Sequence, residues 1–280
     1  MLAIYGLLGI AVTAAFMLGE DDDDTAEPTP TEPEDDTSVE IQPIEDIIDP
    51  DDEDTVIFSG DDDDTVQTGA GNDAINGQDG DDRIDSGAGN DTVEGGRGND
   101  IITGGDGNDT LNGHIGDDII DGEAGDDALN GGGGNDVLMG GAGNDALLGS
   151  LDNDTLVGGT GADTLHGGSG DDLLYDRDDN DKDYLNCGAG NDTLMGGAGD
   201  NLHGGTGQDS FNLTTDNDVT IEDFNPDEDR IEIGYTGDAP TLSTTQSDNG
   251  LVLLADGQQV ATFRNLTTLD LDAVSLVQTQ

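Results

Sequence analysis

The stretch Gly104–Asn112 reads GGDGNDTLN, and the stretch Gly140–Leu148 reads GGAGNDALL. Both are copies of a nine-residue unit that occurs thirteen times over Ser59–Tyr175 without an insertion or a deletion. Position six of the unit is always Asp, and position eight is always aliphatic. Position four is Gly in eleven of the thirteen units, the exceptions being Asp62 and Asp152. Chance would not keep three such columns in frame over thirteen units.

The residue types in the unit indicate both its local structure and its chemistry. The x-aliphatic-x segment is too short for a helix, and its single apolar side chain can face a core only from a strand. Glycines allow left-handed backbone conformations and let carbonyl oxygens come close together. Carbonyls and carboxylates are the ligands that Ca²⁺ prefers, about six to eight oxygens per ion. No His or Cys recurs in the units, which argues against zinc, and Mg²⁺ is less suited because it keeps its waters.

The composition excludes several classes of function. The chain has 66 Asp and Glu against 6 Lys and Arg, for a net charge of −60, so it will not bind nucleic acid or anionic lipid by charge. Hydrophobic residues make up 31% of the chain and aromatic residues 3%, too few for a conventional large core. Cys187 is the single cysteine and excludes an intramolecular disulfide. Such a chain must recruit cations or stay disordered.

The unit resembles the nonapeptide G-G-x-G-x-D-x-U-x of the RTX (haemolysin-type) calcium-binding family, over about Ser59–Asn212. The resemblance implies an all-β, right-handed parallel β-roll with two units per coil and Ca²⁺ between the turns of units i and i+2. Odd and even units then line opposite edges, and the unbroken block holds about eleven ions. The implied metal ligands are the carboxylates of Asp64, Asp73, Asp82, Asp91, Asp100, Asp109, Asp118, Asp127, Asp136, Asp145, Asp154, Asp163, Asp172, Asp183, Asp192 and Asp209.

Several units depart from the family pattern. After Tyr175 the frame breaks, 178–186 is a degenerate unit, and a residue is lost between 187–195 and the last unit at 204–212. The basic residue Arg177, at the break, is expected to neutralise carboxylates where a calcium is absent. Weaker binding is expected at the four turns whose position two is not Gly: Gln78, His114, Glu123 and Ser150.

Two segments precede the roll, which is predicted to span 55–212. Residues 1–19 form an uncharged apolar run of marginal length for a membrane span, which favours a membrane anchor. An export signal, cleaved or uncleaved, is the alternative, although no basic residue precedes the run and no clean A-x-A site follows it. Residues 20–54 are rich in Asp, Glu, Pro and Thr, which predicts a disordered, solvated linker. Isoleucines near its end, such as Ile47, indicate packing onto the roll.

The C-terminal segment 213–280 is predicted to be a β cap. Glycine becomes rarer, and alternating apolar residues predict strands at 219–224, 230–233, 251–254 and 260–263. An open solenoid end exposes apolar side chains and unpaired backbone, so a cap is required there. The stretch 221–233, IEDFNPDEDRIEI, resembles the D-F-x-x-x-x-D-x-I motif that follows RTX repeats in serralysin-type proteins. That resemblance implies a signal for type I secretion in this segment.

The predicted function is a non-enzymatic calcium-binding repeat protein that folds on extracellular Ca²⁺ and is secreted or displayed at the cell surface. Its expected partners are calcium ions and a type I secretion transporter, with membrane contact only through 1–19. An adhesion or polysaccharide-binding RTX module is the alternative, although aromatic platforms for sugar stacking are few. The accessory part of an RTX enzyme is less favoured, since the chain has no H-E-x-x-H or G-x-S-x-G motif and only about forty linker residues precede the repeats.

Overall fold

The computed structural model describes residues 39–41, 46–48, 53–177, 179 and 181–279. The predicted anchor or export signal at 1–19 and most of the predicted linker at 20–54 lie outside the described residues. Within the part of the chain that the structure describes, no helix is long and apolar enough to cross a membrane.

The odd-numbered strands, together with β24, form one sheet, in which each strand of the repeat pairs in parallel with the strand two places further on. Among the described residues this sheet has 14 strands, in the order β1 (Val39–Ile41), β3 (Val56–Gly60), β5 (Ala74–Asp79), β7 (Thr92–Arg97), β9 (Thr110–Ile115), β11 (Ala128–Gly133), β13 (Ala146–Leu151), β15 (Thr164–Ser169), β17 (Tyr184–Ala189), β19 (Asn201–His203), β21 (Val219–Ile221), β25 (Gln258–Phe263), β24 (Gly250–Ala255) and β23 (Leu242–Ser247).

The even-numbered strands other than β24 form the second sheet, which is parallel throughout. Its 12 described strands follow in the order β2 (Asp46–Ile48), β4 (Thr65–Gln67), β6 (Arg83–Asp85), β8 (Ile101–Asp106), β10 (Ile119–Ala124), β12 (Val137–Ala142), β14 (Thr155–Thr160), β16 (Leu173–Asp176), β18 (Thr193–Gly196), β20 (Ser210–Thr214), β22 (Arg230–Tyr235) and β26 (Val274–Gln278). A short 3-10 helix, Leu271–Ala273, precedes the last strand. The predicted all-β parallel roll is confirmed.

The core lies between the two sheets and is built from the aliphatic residues of position eight, which form one column on each sheet. Leu129 of β11 pairs with Leu111 of β9 and Leu147 of β13, each 18 residues away. All thirteen position-eight residues are at most 2% exposed. Burying one such side chain contributes about 1.5–3 kcal/mol, so the core is two facing rows of small contributions rather than a large apolar interior.

The roll begins earlier than the predicted boundary at residue 55. Strand β1 pairs with β3 through Val39 and Val56, and β2 pairs with β4 through Ile47 and Val66. The half-buried side chain of Ile47 packs against the core. These two strands cover the first coil, whose backbone and apolar residues would otherwise form an open edge.

The C-terminal segment closes the other end of the roll, with strands at all four predicted places. Strand β21 pairs in parallel with β25, which continues the sheet through the antiparallel strands β24 and β23. Phe211, in the last repeat, lies 5.7 Å from Phe224, which lies 5.4 Å from Phe263 (ring centroids). This aromatic cluster covers the C-terminal end of the aliphatic rows.

Candidate metal centre

The position-six carboxylates form two columns, one at each edge of the roll. The backbone N–H of Asp100 donates to Oδ1 of Asp118 at 2.8 Å, and the N–H of Asp118 donates to Oδ1 of Asp136 at 2.9 Å. One column contains the predicted residues Asp64, Asp82, Asp100, Asp118, Asp136, Asp154, Asp172, Asp192 and Asp209. The other contains Asp73, Asp91, Asp109, Asp127, Asp145, Asp163 and Asp183.

Each column ends in an aspartate that the sequence pattern missed. Asp200 accepts the N–H of Asp183 at 3.1 Å, and Asp229 accepts the N–H of Asp209 at 3.1 Å. The residue lost before Asp200 shifts it out of position six, and Asp229 follows the repeats in a segment with few glycines. The spacing to the inward aliphatic residue could have identified both, since Leu202 and Ile231 follow two residues later, as in every repeat.

The second carboxylate oxygen of most column residues is buried and accepts no hydrogen bond from the described residues. A side-chain Cβ added to Gly131, at position one, would overlap Oδ2 of Asp136 in the same unit. A buried carboxylate oxygen without a donor is costly, so it requires a proton or a cation. The column residues with such an Oδ2 are Asp82, Asp91, Asp100, Asp109, Asp118, Asp127, Asp136, Asp145, Asp154, Asp163, Asp172 and Asp192.

Backbone carbonyl oxygens lie next to these Oδ2 atoms, since a Cβ added to Gly140 would overlap both Oδ2 of Asp145 and the carbonyl oxygen of Gly158 in the next coil. At position four, a Cβ on Gly125 would overlap the carbonyl oxygen of Gly107, and Gly125 has a φ of +138°. At position two, a Cβ on Gly132 would overlap the carbonyl oxygen of His114. Glycine therefore keeps open a space that carboxylate and carbonyl oxygens surround. These donors are all hard oxygens, which fits Ca²⁺.

The four non-glycine residues at position two keep the backbone conformation of the turn. Each has a positive φ, a conformation that costs a side chain about 1–3 kcal/mol. The φ values are 79° for Gln78, 77° for His114, 67° for Glu123 and 88° for Ser150. Weaker calcium binding at these turns stays a prediction.

Burial makes the metal-free columns poor sites for negative charge. Burial, followed by the charges of Asp100 and Asp136, raises the pKa of Asp118 to about 7. The pKa of Asp127, in the other column, rises to about 7 by burial and the charges of Asp109 and Asp145. A divalent cation in each gap would favour the ionised carboxylates and so offset both shifts.

A second ladder, at position five, runs in the opposite direction. The N–H of Asn135 donates back to Oδ1 of Asp117, and the N–H of Asn144 donates back to Oδ1 of Asp126, each at 2.8 Å. Position five is Asn or Asp in twelve of the thirteen units, the exception being Ala162. These side chains are exposed and hold the rims of successive turns together. The sequence analysis does not predict this second ladder.

The comparison with protein families agrees with this geometry. The profile described as RTX calcium-binding nonapeptide repeat (4 copies) matches residues 58–93, 87–120, 94–129, 113–147, 121–156, 148–183, 177–202 and 188–219. These segments join into one stretch that covers more than half of the chain. The chain belongs to the RTX calcium-binding repeat family. RTX repeats bind Ca²⁺, their role is typically structural, and the proteins that carry them are typically extracellular.

Solved structures of other RTX proteins also align with the chain. The solution structure of the AlgE6R3 subunit from the Azotobacter vinelandii mannuronan C5-epimerase is 25% identical, with a TM-score of 0.27, covering 50% of this chain and 79% of that one. The crystal structure of the extracellular lipase LipA from Serratia marcescens is 22% identical, with a TM-score of 0.21. That alignment covers 68% of this chain, which spans only 40% of the lipase. Comparison with curated proteins found no match.

Proposed function

We propose that this chain is a non-enzymatic calcium-binding β-roll that folds on extracellular Ca²⁺ and is secreted or displayed at the cell surface. The observation that carries the proposal is the row of buried Oδ2 atoms that face the carbonyl-lined gaps without a donor among the described residues. Extracellular modules bind Ca²⁺ with dissociation constants of about 10⁻⁴–10⁻³ M, far above cytosolic levels. The chain would therefore stay unfolded inside the cell and fold outside, which suits export by a type I transporter.

The number of ions follows from the gaps between stacked carboxylates. Within the unbroken block, one column has six gaps and the other has five, which supports about eleven ions. The columns continue past the block to Asp229 and Asp200, which adds five further gaps. Eleven divalent ions would reduce the net charge from −60 to about −38.

The free energy of binding these ions is large enough to determine whether the chain folds. Mass action contributes roughly 1.4 kcal/mol per site when free calcium is about ten times the dissociation constant. Eleven independent sites would contribute on the order of 15 kcal/mol, which is as large as the typical stability of a whole domain. The single aliphatic residue of each turn buries too little area to offset carboxylate repulsion and ordering entropy alone.

The test is circular dichroism of the full chain titrated with calcium and then with excess chelator. We expect a disordered spectrum without calcium, a strand spectrum with it, and reversal by the chelator. Magnesium at equal concentration serves as the control ion and should not replace calcium. A strand spectrum that persists unchanged in chelator would mean that the roll needs no metal, and the proposal would fail.

A polysaccharide-binding role has one observation in its favour. On the odd-numbered sheet, the rings of His166, Tyr184 and His203 follow one another with centroid distances of 5.7 and 6.4 Å. Such a row could stack against sugar rings. If it does, Tyr184→Ala should abolish co-sedimentation with an insoluble polysaccharide while leaving the calcium titration unchanged. Equal retention of both chains would remove this alternative.

A further inference from the structure

The break in the repeat frame puts an acidic residue where the pattern has a small one. Position one is Gly in ten of the thirteen units and Ser or Thr in the other three. After the thirteenth unit this place is taken by Asp176, the last residue of β16. Asp176 pairs with Gly196 in the next coil, and Gly158 holds the same place one coil earlier. Because position one faces the interior, the carboxylate of Asp176 is directed inward and is only 2% exposed.

Asp176 joins two carboxylates of the second column. Carboxylate oxygens of Asp163, Asp176 and Asp183 all lie within 4.8 Å of one another, and Asp163 and Asp183 are 1% and 2% exposed. A Cβ on Gly158 would overlap Oδ2 of Asp176 and would lie 2.7 Å from Oδ2 of Asp163. The two oxygens therefore converge on one point above the glycine.

Among the described residues, the cluster has no hydrogen-bond donor to these two Oδ2 atoms and no basic side chain that would explain it. The Oδ2 atoms of Asp163 and Asp176 accept no hydrogen bond from any described residue. Arg177 follows directly, but its guanidinium donates to the backbone carbonyl of Asn212. Among the described residues, no Lys or Arg forms an ion pair with any of the three carboxylates. The prediction that Arg177 neutralises carboxylates at the break finds no support in this geometry.

We propose that Asp163, Asp176 and Asp183 form a three-carboxylate calcium site that fills before the other gaps of the roll. The proposal rests on the proposed calcium-binding function and deepens it. The other gaps are bordered by two column carboxylates, and among the described residues only this one brings three carboxylate oxygens within 4.8 Å of one another. One additional negative charge at contact distance strengthens the attraction for a divalent ion, and ligand charge is a principal determinant of Ca²⁺ affinity.

The site also differs in position from its neighbours. It lies at the frame break, where 20 residues rather than 18 separate Asp163 from Asp183. Once an ion joins these two carboxylates, the regular block before the break and the units after it are fixed in register. Filling this gap first would thus link the two parts of the roll before the weaker gaps fill.

The test compares calcium binding by the full-length wild type, Asp176→Asn and Asp248→Asn. Asn keeps the size of the side chain and removes its charge. Asp248 is an exposed aspartate between β23 and β24, away from the three carboxylates, so its variant is the control for net charge. In a calorimetric titration with CaCl₂, we expect the wild type and the control to bind one calcium ion per chain tightly, before the main binding transition in which the other gaps fill. In Asp176→Asn that ion should bind about tenfold more weakly, or its binding should merge with the main transition.

Circular dichroism at saturating calcium shows whether each variant is folded. If Asp176→Asn does not fold, Asp176→Gly restores the usual residue of position one and gives the same comparison. Tight binding of that ion by the folded variant would overturn the proposal, as would its absence from the wild type. If no chain bound calcium at all, the proposed function itself would fail. That result is distinguishable from the two above, because in both of them the roll still binds calcium.

Discussion

At the scale of single residues, the two oxygens of a column carboxylate do different work. Oδ1 of Asp118 accepts the backbone N–H of Asp100, whereas its Oδ2 accepts nothing from the described residues. An asparagine could keep the first contact through its side-chain oxygen but would lose the negative charge. The substitution therefore separates the hydrogen-bond ladder from cation binding.

We predict that Asp118→Asn raises the calcium midpoint of folding more than Asp64→Asn. Asp118 borders two gaps of the unbroken column and Asp64 borders one, so about 3 and 1.4 kcal/mol are lost at tenfold excess calcium. Circular dichroism titrations of both variants and the wild type provide the measurement. Equal midpoints for the two variants would show that the gaps do not act as separate sites.

Cys187 is a built-in reporter of the folded roll. Its side chain is 0% exposed, and burial, followed by the charges of Asp192 and Asp172, raises the pKa of the thiol well above its usual range. We expect a thiol reagent to modify Cys187 at least about a hundredfold faster in chelator than in calcium, since modification requires local or global opening. Equal rates under the two conditions would contradict calcium-gated folding.

At the scale of the element, the turn depends on close backbone approach. The carbonyl oxygen of Gly107 lies where a Cβ on Gly125 would have to be, so any side chain there must push two coils apart. Gly199, by contrast, has a positive φ of +103° but no atom within 4 Å of an added Cβ. The two glycines separate the cost of the conformation from the cost of the contact.

We predict that Gly125→Ala destabilises the calcium-loaded roll by about 2–6 kcal/mol, the sum of about 1–3 kcal/mol of backbone strain and about 1–3 kcal/mol of overpacking. Gly199→Ala should cost only the strain, about 1–3 kcal/mol. Thermal or denaturant unfolding at saturating calcium measures both. If Gly125→Ala costs no more than its control, the gap between turns is wider than the backbone positions indicate.

The strict frame made the turn predictable. Three columns that hold for thirteen units specify a strand, a turn and an inward residue, and the sixteen predicted aspartates lie in the two columns that this arrangement requires. The position-five ladder was missed because both Asn and Asp occur at that position, in no regular order and without a fixed charge. Asp176 was missed because it lies outside every complete unit, and its environment depends on Asp163 and Asp183 from neighbouring coils.

At the scale of the whole molecule, the stability of the roll depends most on the negative charge of its column carboxylates. Column carboxylates such as Asp82, Asp154 and Asp192 have their pKa raised from 3.8 to about 7, chiefly by burial. A pKa that is higher in the folded chain means that protonation favours folding. This contribution is complete below the unfolded value of 3.8 and is lost as the pH rises through about 7.

We predict that the calcium-free chain is more ordered at about pH 5 than at about pH 8. With calcium in moderate supply the order reverses, because protons then compete with the ions for the same carboxylates. Thermal unfolding followed by circular dichroism, in chelator and in calcium, measures both trends. Stability in chelator that increases from pH 5 to pH 8 would show that the columns are not the titrating groups.

The ends of the molecule were less predictable than its middle. The strands at Val39–Ile41 and Asp46–Ile48 belong to a segment whose composition indicates a solvated linker, and only the roll next to them gives these short apolar stretches a partner. At the other end, apolar alternation located the cap strands, but the antiparallel turn from β25 to β24 depends on tertiary packing. Local sequence pattern alone therefore does not predict where the roll begins or how its cap strands are connected.

The coil of two units also constrains how the gene can change. Strands that pair are 18 residues apart over most of the roll, and β1 and β21 lie in the same sheet. Losing or duplicating 18 codons removes or adds one complete coil and leaves both ends on their original faces. Losing nine codons would remove half a coil, so the cap strands would join the opposite sheets relative to the N-terminal strands. Related chains should therefore differ in length by whole coils, with the two ends inherited unchanged.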